Sequence, residues 1–295
     1  MRLTRFSALV ASAVLALAVA GCGGDAGEDD KGPDVKVEEN AASKFDAGTR
    51  MKELAEAGKV TIGVKYDQPG LGFKDAAADI PSGFDVEIAK ILAADLGIDP
   101  DKVVWEETIS DNREPFLTSG KVDLVLASYS ITDDRRKIVG QTGPYMLTGQ
   151  QLLVKADSDV QSIDDLAGKE VCSVTGSTSI DRINEKGAKG VGFDSYSECV
   201  QKVLDGTVAA MSTDGSILAG YAAQNEGQLK VVGDPFSEER IGVGYSKDYP
   251  EMCQWIVDTL TQANEDGTWA EAFEANLGAS GVETPEFPEM DPCES

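Results

Sequence analysis

From about residue 58 onward, short runs of β-branched residues alternate with longer segments of helical periodicity. KVTIGV, at residues 59–64, predicts a first strand, and VEIAKILAADLG, at residues 86–97, spaces isoleucine and leucine at helical intervals before a glycine. KVVWEE and KVDLVLAS predict two further strands around a helix over NREPFLTSG. This alternation indicates an α/β protein with largely parallel sheets.

A second group of elements follows TGPYMLTGQQLLV. Strands are predicted over KEVCSVTGS, TVAAMSTD and LKVVG, a helix over SECVQKVLDG, and a return strand over RIGVGYSK before a long helical segment. Roughly 230 folded residues exceed one comfortable core, which predicts two lobes. We assign residues 45–145 and 239–280 to lobe 1, residues 146–238 to lobe 2, and residues 281–295 to a C-terminal tail.

The first residues have the pattern of a secretory signal peptide. Arg2 and Arg5 precede the apolar run ALVASAVLALAVA, which is too short to span a membrane and remain there. The following VAGC has the form of a lipobox, which predicts that residues 1–21 are removed and that Cys22 is lipidated; an ordinary cleavage site beside a stray cysteine is the alternative. The polar, acidic segment at 22–44 predicts a flexible tether. We therefore expect a protein anchored by lipid on the outer face of the cell membrane.

The charge of the chain restricts its partners. The 295 residues include no histidine and carry a net charge of −26, and removal of residues 1–21 takes away two arginines and no acid, giving −28. Such a charge favours solubility and opposes binding to nucleic acid or to an anionic membrane surface. We expect a monomer that contacts the membrane only through its N-terminal lipid.

Four cysteines remain once Cys22 is lipidated, in a chain predicted to reach an oxidising compartment. Of three possible pairings, we favour Cys172 with Cys199 and Cys253 with Cys293, because each pair joins segments predicted to share a lobe. A bridge that closes about 28 residues stabilises by ~3.5 kcal/mol in the loop-entropy model. Buried free thiols are the alternative.

Polar residues gather where predicted strands give way to helices, the place where α/β folds bind ligands. In ASYSITDDRR, Ser128, Ser130 and Arg135 follow a strand, and a guanidinium beside hydroxyls and helix-start amides suits a carboxylate. The alternative is a plain helix N-terminus, with Thr132 as N-cap, the two aspartates in the first turn and solvated arginines.

Two further segments have the same placement. In VTGSTSI, Gly176 permits a tight turn, and Ser177 and Thr178 offer donors at a helix start. In MSTDGS, Asp214 follows a strand and would either N-cap the next helix or accept from an ammonium group. Donors for a carboxylate and an acceptor for an ammonium together indicate a small zwitterionic ligand.

GFDVEIAKILAADL and the order SITDDR, GPY, GST and STD resemble the extracellular solute-binding proteins of polar amino-acid ABC importers, over about residues 50 to 278. The resemblance implies a two-lobed type II periplasmic-binding fold, with a ligand cleft between the lobes and ABC permease subunits as partners. It also implies hinge closure at two chain crossings, near Tyr145 to Gln151 and near Asp234 to Gly242.

The resemblance implies roles for several of the polar residues already described. Arg135, Ser130 and Thr178 are expected to bind the α-carboxylate of the ligand, and Asp214 its α-ammonium, with Ser128 nearby. The family often places an aromatic ring over the ligand just after the first strand. In this sequence that stretch reads YDQPGLGF, which leaves the choice between Tyr66 and Phe73 open.

KYDQPGLG, SDNREPFLTSG and CSVTGST with YSECV resemble the actinobacterial glutamate-binding lipoproteins. Lys65 and Arg113 lie where binders of acidic amino acids carry cations for the ligand side chain, with Ser110 in the same stretch. The alternatives are a surface pair between Arg113 and Glu114 and a solvated Lys65. With Arg135 committed to the α-carboxylate, a second cation favours L-glutamate, with aspartate second, over glutamine.

The main alternative to a binding protein is an enzyme, because this fold also hosts dehydratases that act on amino-acid-like substrates, and hydroxyls near an aspartate can perform acid–base work. The lack of histidine and of a G-x-S-x-G motif removes the usual serine-hydrolase arrangement. No cysteine spacing suits a metal. We therefore expect no catalytic residue, cofactor or metal; a ligand sensor is the remaining possibility.

Overall fold

The computed structural model describes residues 32–293, so the predicted signal peptide and the predicted lipidation at Cys22 lie outside the described residues. Among residues 32–293, no helix is long and apolar enough to cross a membrane.

The strands within this range are β1 (Thr61–Val64), β2 (Asp67–Gln68), β3 (Gly72–Phe73), β4 (Val104–Glu107), β5 (Leu124–Leu126), β6 (Gly140–Thr148), β7 (Gln150–Lys155), β8 (Glu170–Val174), β9 (Lys189–Phe193), β10 (Ala210–Asp214), β11 (Leu229–Val232) and β12 (Glu239–Tyr245). The α-helices in the same range are α1 (Arg50–Ala57), α2 (Phe84–Asp95), α3 (Arg113–Thr118), α4 (Asp133–Ile138), α5 (Ser179–Glu185), α6 (Tyr196–Asp205), α7 (Gly215–Gln224), α8 (Met252–Glu265) and α9 (Thr268–Leu277).

Two five-stranded sheets within the described range define two lobes. The sheet of lobe 1 has the order β4-β1-β5-β12-β6, and that of lobe 2 the order β11-β7-β10-β8-β9. Each sheet has three adjacent parallel strands, as predicted. The others run antiparallel to a neighbour, because β6, β7, β11 and β12 belong to segments that pass between lobes rather than to strand–helix–strand units.

Helix α2, which has the strongest helical pattern in the sequence, lies at the centre of lobe 1. Val86, Ile88, Ile91 and Leu92 of this helix are buried, and it packs against α8 and α9. Phe84, at its first turn, contacts Phe273 edge-on with ring centroids 5.1 Å apart. Full burial of each such aliphatic side chain contributes about 1.5–3 kcal/mol, so this helix anchors the lobe that carries β1 and β5.

Two chain crossings join the lobes within the described range. The first is Gly149, between β6 and β7, and the second is residues 233–238, between β11 and β12. The crossings run side by side: the backbone N–H of Phe236 donates to the carbonyl of Gln150 at 3.0 Å. Both coincide with the predicted hinge segments. The first crossing lies a few residues beyond the expected boundary at 145, because β6 stays paired with β12 as far as Thr148.

The folded part begins earlier than the tether boundary at residue 44 predicted. Ala41 is buried in a short 3-10 helix, and Val35 packs against the core of lobe 1. The backbone N–H of Glu38 donates to the carbonyl of Ala94 at 2.9 Å. Apolar contacts too sparse to form a periodic pattern hold this segment on the lobe.

Both favoured cysteine pairings are confirmed, and the free-thiol alternative is wrong. Cys172 of β8 is bonded to Cys199 of α6 inside lobe 2, and Cys253 of α8 is bonded to Cys293 of the tail. The tail lies on lobe 1, where the Asp291 carboxylate accepts from two arginines, Arg136 of α4 and Arg240 of β12. It therefore ties together two elements beside the interlobe pocket.

Candidate ligand-binding site

A narrow polar pocket lies between the lobes. Its walls follow β1 and β5 in lobe 1 and β8 and β10 in lobe 2, the strand ends at which the sequence predicted a site. The structure brings all eight candidate residues to its lining: Lys65, Ser110, Arg113, Ser128, Ser130, Arg135, Thr178 and Asp214.

Arg135 is positioned by the helix start that the sequence indicated. Thr132 caps α4, its Oγ1 accepting from the Arg135 backbone N–H at 3.2 Å. The guanidinium donates to the Ser130 carbonyl at 2.7 Å, and its Nε lies 3.2 Å from the Glu114 carboxylate. The helix-cap explanation and a ligand role are therefore compatible, because the cap uses only the backbone of Arg135.

Arg113 is buried, with 2% of its surface exposed, so the predicted alternative of a surface pair with Glu114 is wrong. Its guanidinium donates to the carbonyls of Ser110 and Ala127, both at 3.2 Å. It also lies over the Tyr129 ring, 4.5 Å from the centroid. Burial, and then the neighbouring charge of Arg135, lower the pKa of Arg113 to about 10.

Lys65 extends from the end of β1 into the pocket and is 3% exposed, so the solvated alternative is also wrong. Its ammonium donates to Ser110 Oγ at 2.9 Å, which places that hydroxyl beside the cation. Burial, reinforced by Arg113, lowers the pKa of Lys65 to about 7. An anion in the pocket would favour its charged form.

Asp214 ends β10 on the opposite wall. It stands at the N-cap position of α7, but its side chain makes no capping hydrogen bond, and it is 4% exposed. Burial, and then the nearby charge of Glu239, raise the pKa of Asp214 to about 7. A cation held beside it would restore the ionised form.

The remaining hydroxyl residues lie on ordered backbone. Ser128 has a φ of 44°, and its N–H donates to the Asp85 carboxylate at 2.7 Å. The Ser130 carbonyl is occupied by Arg135. Thr178 precedes α5, and its Oγ1 donates to Glu239 at 3.3 Å. The left-handed φ of Ser128 is maintained by the buried carboxylate beneath it.

Several lining residues were missed by the sequence analysis. Gln68, Ala127, Ser179, Tyr196 and Thr213 line the pocket, as does Ser177, which the sequence predicted as a donor. Tyr196 of lobe 2 is an aromatic residue that lines the pocket. Tyr66 and Phe73, the two candidates from the sequence for a ring over the ligand, lie outside the pocket lining. Tyr196 directly follows the Ser195 cap of α6, a signal of helix start but not of ligand contact.

The lobes also touch each other directly. The carbonyl oxygen of Gly176, in lobe 2, accepts from Arg113 at 3.1 Å and from Arg135 at 3.0 Å. Outside the pocket lining, the Asp67 carboxylate of lobe 1 accepts from the Tyr196 backbone N–H at 2.8 Å, at the N-terminus of α6. These contacts describe the closed arrangement of the two lobes.

The pocket therefore presents three cationic side chains and one carboxylate, with hydroxyls on both walls. Buried cations need acceptor-rich partners, and a buried carboxylate needs a cation or donors. A ligand that carries negative charge at two points and positive charge at one satisfies both conditions.

Comparison with known proteins supports this description. Residues 60–279 match the model of the bacterial extracellular solute-binding proteins, family 3. The glutamate-binding protein GluB of Corynebacterium efficiens is 40% identical over 251 residues, covering 81% of this chain and 85% of that protein. The ABC transporter glutamine-binding protein GlnH of Bacillus subtilis is 32% identical over 264 residues, covering 88% and 92%.

Solved structures show the same architecture. An ancestral arginine-binding protein bound to glutamine superposes with a TM-score of 0.69 at 34% identity, over 75% of this chain and 98% of that one. The ancestral amino acid-binding protein AncCDT-1, a precursor of cyclohexadienyl dehydratase, gives 0.71 at 32% identity, over 78% and 100%. The predicted two-lobed type II fold is confirmed, and the chain belongs to the bacterial extracellular solute-binding proteins of family 3.

Proposed function

We propose that this protein binds L-glutamate between its lobes and delivers it to the permease subunits of an ABC importer. The observation that carries the proposal is the pocket charge: three buried cations face one buried carboxylate. Glutamate supplies two carboxylates and one ammonium, so each ionised end of the ligand meets an opposite charge. The relative named for glutamate binding supports this choice.

The α-amino acid end is assigned to residues from both lobes. Arg135, with Ser130 and Thr178, holds the α-carboxylate, and Asp214 accepts from the α-ammonium; Ser128 lies beside them. A guanidinium with hydroxyl donors suits a carboxylate. The raised pKa of Asp214 supports the ammonium contact, since the carboxylate lacks a full counter-charge within its own lobe.

The side-chain end is assigned to Arg113 and Lys65, with Ser110 beside them. Leaving two buried cations against a neutral amide costs more than pairing them with a carboxylate. Glutamine therefore ranks below glutamate. Aspartate ranks second, because its side chain is one methylene shorter and stretches the contact with these cations.

Closure of the lobes accompanies binding. The crossings at Gly149 and residues 233–238 are the hinge, and the ligand favours the closed arrangement because residues from both lobes contact it only there. Closed protein then docks on the permease.

A specific observation raises a second candidate, an amino-acid dehydratase. The AncCDT-1 neighbour is a precursor of a dehydratase, and a buried carboxyl with a pKa about 7 is suited to proton transfer. We assign binding without turnover. Mass spectrometry of glutamate recovered after long incubation should return it unchanged, and a product lacking water would support the enzyme.

Anchoring by lipid at Cys22, location on the outer face of the cell membrane and a monomeric state complete the proposal. Mass spectrometry of the N-terminal peptide from membrane-extracted protein tests the anchor. An unmodified N-terminus at another position would remove it without affecting ligand binding.

Calorimetry of the purified protein with glutamate, aspartate and glutamine tests the ligand. We expect glutamate to bind most tightly, and Arg113→Ala to cost ~2–5 kcal/mol for glutamate and much less for glutamine. Arg136→Ala is the matched control, because this arginine follows Arg135 on α4 but pairs with Asp291 outside the pocket. Tighter binding of glutamine than of glutamate by the wild type would contradict the proposal.

A further inference from the structure

Gln68 is a pocket residue whose amide is only half satisfied. It lies at the end of β2, is 0% exposed and lines the pocket. Its Oε1 accepts from Ser128 Oγ at 2.7 Å. Its Nε2 has no hydrogen-bond partner among residues 32–293. A buried amide N–H without a partner is unfavourable, so this donor needs an acceptor that the described residues do not supply.

The orientation of this amide is set by a chain of buried polar groups. Asp85 accepts from the Ser128 N–H at 2.7 Å, and its other oxygen accepts from Tyr145 OH at 2.7 Å. Ser128 Oγ lies 2.7 Å from Gln68 Oε1 and 3.2 Å from Asp85 Oδ2, so its single proton is donated to the nearer acceptor, Gln68 Oε1. Oε1 is thus used within lobe 1, which leaves Nε2 as the free polar atom of this lining side chain.

Gln68 belongs to the cationic end of the pocket. It is three residues beyond Lys65 on the loop after β1. Its partner Ser128 accepts, through its carbonyl, from Arg113 Nη1 at 3.3 Å. The amide therefore shares a chain segment with Lys65 and a hydrogen-bond partner with Arg113, the two cations assigned to the ligand side chain.

We propose that Gln68 Nε2 donates a hydrogen bond to the side-chain carboxylate of the bound acidic amino acid, which makes Gln68 a specificity-determining residue. This inference rests on the proposed function. A carboxylate only accepts, and Gln68, Lys65 and Arg113 together present only donors to it. The terminal amide of a glutamine ligand needs acceptors for its own N–H groups, and this end of the pocket provides none from these three side chains.

Calorimetry of Gln68→Leu and Gln68→Glu with L-glutamate and L-glutamine tests the inference. Gln68→Leu keeps the volume and removes the donor, so glutamate affinity should fall about 10- to 100-fold, and glutamine affinity by less, because a hydrogen bond to a charged group is about twice as strong as a neutral one. Gln68→Glu replaces the donor with a carboxylate that competes for Lys65 and Arg113. It should weaken glutamate further and invert the preference toward glutamine.

Tyr66→Phe is the matched control on the same loop, because Tyr66 lies outside the pocket lining and stacks with Lys74. Ligand-free thermal unfolding checks that each variant folds. In a wild type that binds glutamate, equal weakening of both ligands by Gln68→Leu, or unchanged glutamate binding by Gln68→Glu, overturns the inference alone. A wild type that does not bind glutamate overturns the proposed function and the inference with it.

Discussion

The two lobes contribute opposite charges to one pocket. Lobe 1 supplies Lys65, Arg113 and Arg135, whereas lobe 2 supplies Asp214, the Thr178 hydroxyl and the Tyr196 ring. On lobe 1, Arg135 lies 3.2 Å from the Glu114 carboxylate, whereas burial lowers the pKa of Lys65; on lobe 2, burial raises the pKa of Asp214. On the proposed function, a zwitterion bound between the walls pairs Lys65 and Asp214 with opposite charges and favours the ionised form of each.

The largest effect should come from neutralising the acidic wall. Asp214→Asn should weaken glutamate binding by ~2–5 kcal/mol, because the desolvated ammonium loses its counter-charge. Stability should change in the opposite direction. The pKa of Asp214 is raised from 3.8 to about 7, so its stabilising contribution is present below 3.8 and lost as the pH rises through 7. Ligand-free Asp214→Asn should therefore unfold at higher denaturant than wild type at pH 8.

Asp181→Asn is the control for that variant, since Asp181 is exposed on α5 of the same lobe. Calorimetry and denaturant unfolding measure the two quantities. Unchanged affinity in Asp214→Asn would reduce Asp214 to a residue that only begins α7.

The two disulfides should contribute similarly to stability but differently to ligand binding. Replacing the two cysteines of one bridge with serine should lower the free energy of unfolding by ~4 kcal/mol for Cys253–Cys293. The decrease should be ~3.5 kcal/mol for Cys172–Cys199, which closes the shorter loop. The lobe 2 bridge joins β8 to α6, the helix that begins with Tyr196 at the pocket. Its loss should also weaken ligand binding, whereas loss of the tail bridge should leave affinity unchanged. Denaturant unfolding and calorimetry on both double variants decide; equal effects on affinity would contradict the distinction.

The sequence alone was sufficient to predict pocket residues that come at the end of a regular strand. Ser128, Thr178 and Asp214 each follow a β-branched run at a predicted strand end, and the fold brings such ends together. Gln68 carries no such signal, because the two-residue strand β2 is followed by proline and glycine and shows no periodicity. Its importance depends on Asp85 and Ser128, which no local pattern connects to it.

Strands β6 and β7 and the early start of the fold were missed for a related reason. β6 contains Pro144 and is flanked by glycine, so it reads as a connection rather than a strand. It is held by pairing with β12, about a hundred residues later, which is a tertiary effect. Residues 41–43 form only one short turn, whose burial depends on α2 rather than on its own sequence.

A steric change should test closure without touching the pocket charges. Gly220 lies in α7 of lobe 2, and a Cβ there would overlap the carbonyl oxygen of Pro69 in lobe 1. Gly220→Ala should weaken glutamate binding by about 1–3 kcal/mol, the usual cost of overpacking. Ligand-free protein should be no less stable, because alanine is the better helix former by about 1 kcal/mol. Small-angle scattering should show a smaller compaction on adding ligand; wild-type affinity in this variant would mean that the lobes need not meet at Gly220.

The smallest effect should be a shallow pH optimum that joins the two walls. Lys65 faces Arg113, Arg135, Asp67 and Asp85, and Asp214 faces Glu239 with the same two arginines and Asp85; in each case burial is the main cause of the shift. Without ligand, each of the two groups is half ionised near pH 7, although the ligand needs Lys65 protonated and Asp214 deprotonated. Above pH 7 the loss of charge on Lys65 weakens binding, and below pH 7 the protonation of Asp214 does so.

With both pKa values about 7, glutamate affinity should peak near pH 7 and fall only about threefold at pH 6 and at pH 8. The fall is small because a pH change that lowers the charged fraction of one of the two groups raises the charged fraction of the other. The carboxylates of the ligand stay ionised in this range. Lys65→Met removes the loss of affinity above pH 7, so the affinity of this variant should be lower than that of the wild type but should rise and level off between pH 6 and pH 8. Lys74→Met is the control, because Lys74 lies outside the pocket lining, and its affinity should still peak near pH 7. A wild-type affinity that rises steadily through pH 8 would show that Lys65 stays charged without ligand. Burial would then disfavour the charged form of Lys65 in lobe 1 less than it disfavours the charged form of Asp214 in lobe 2.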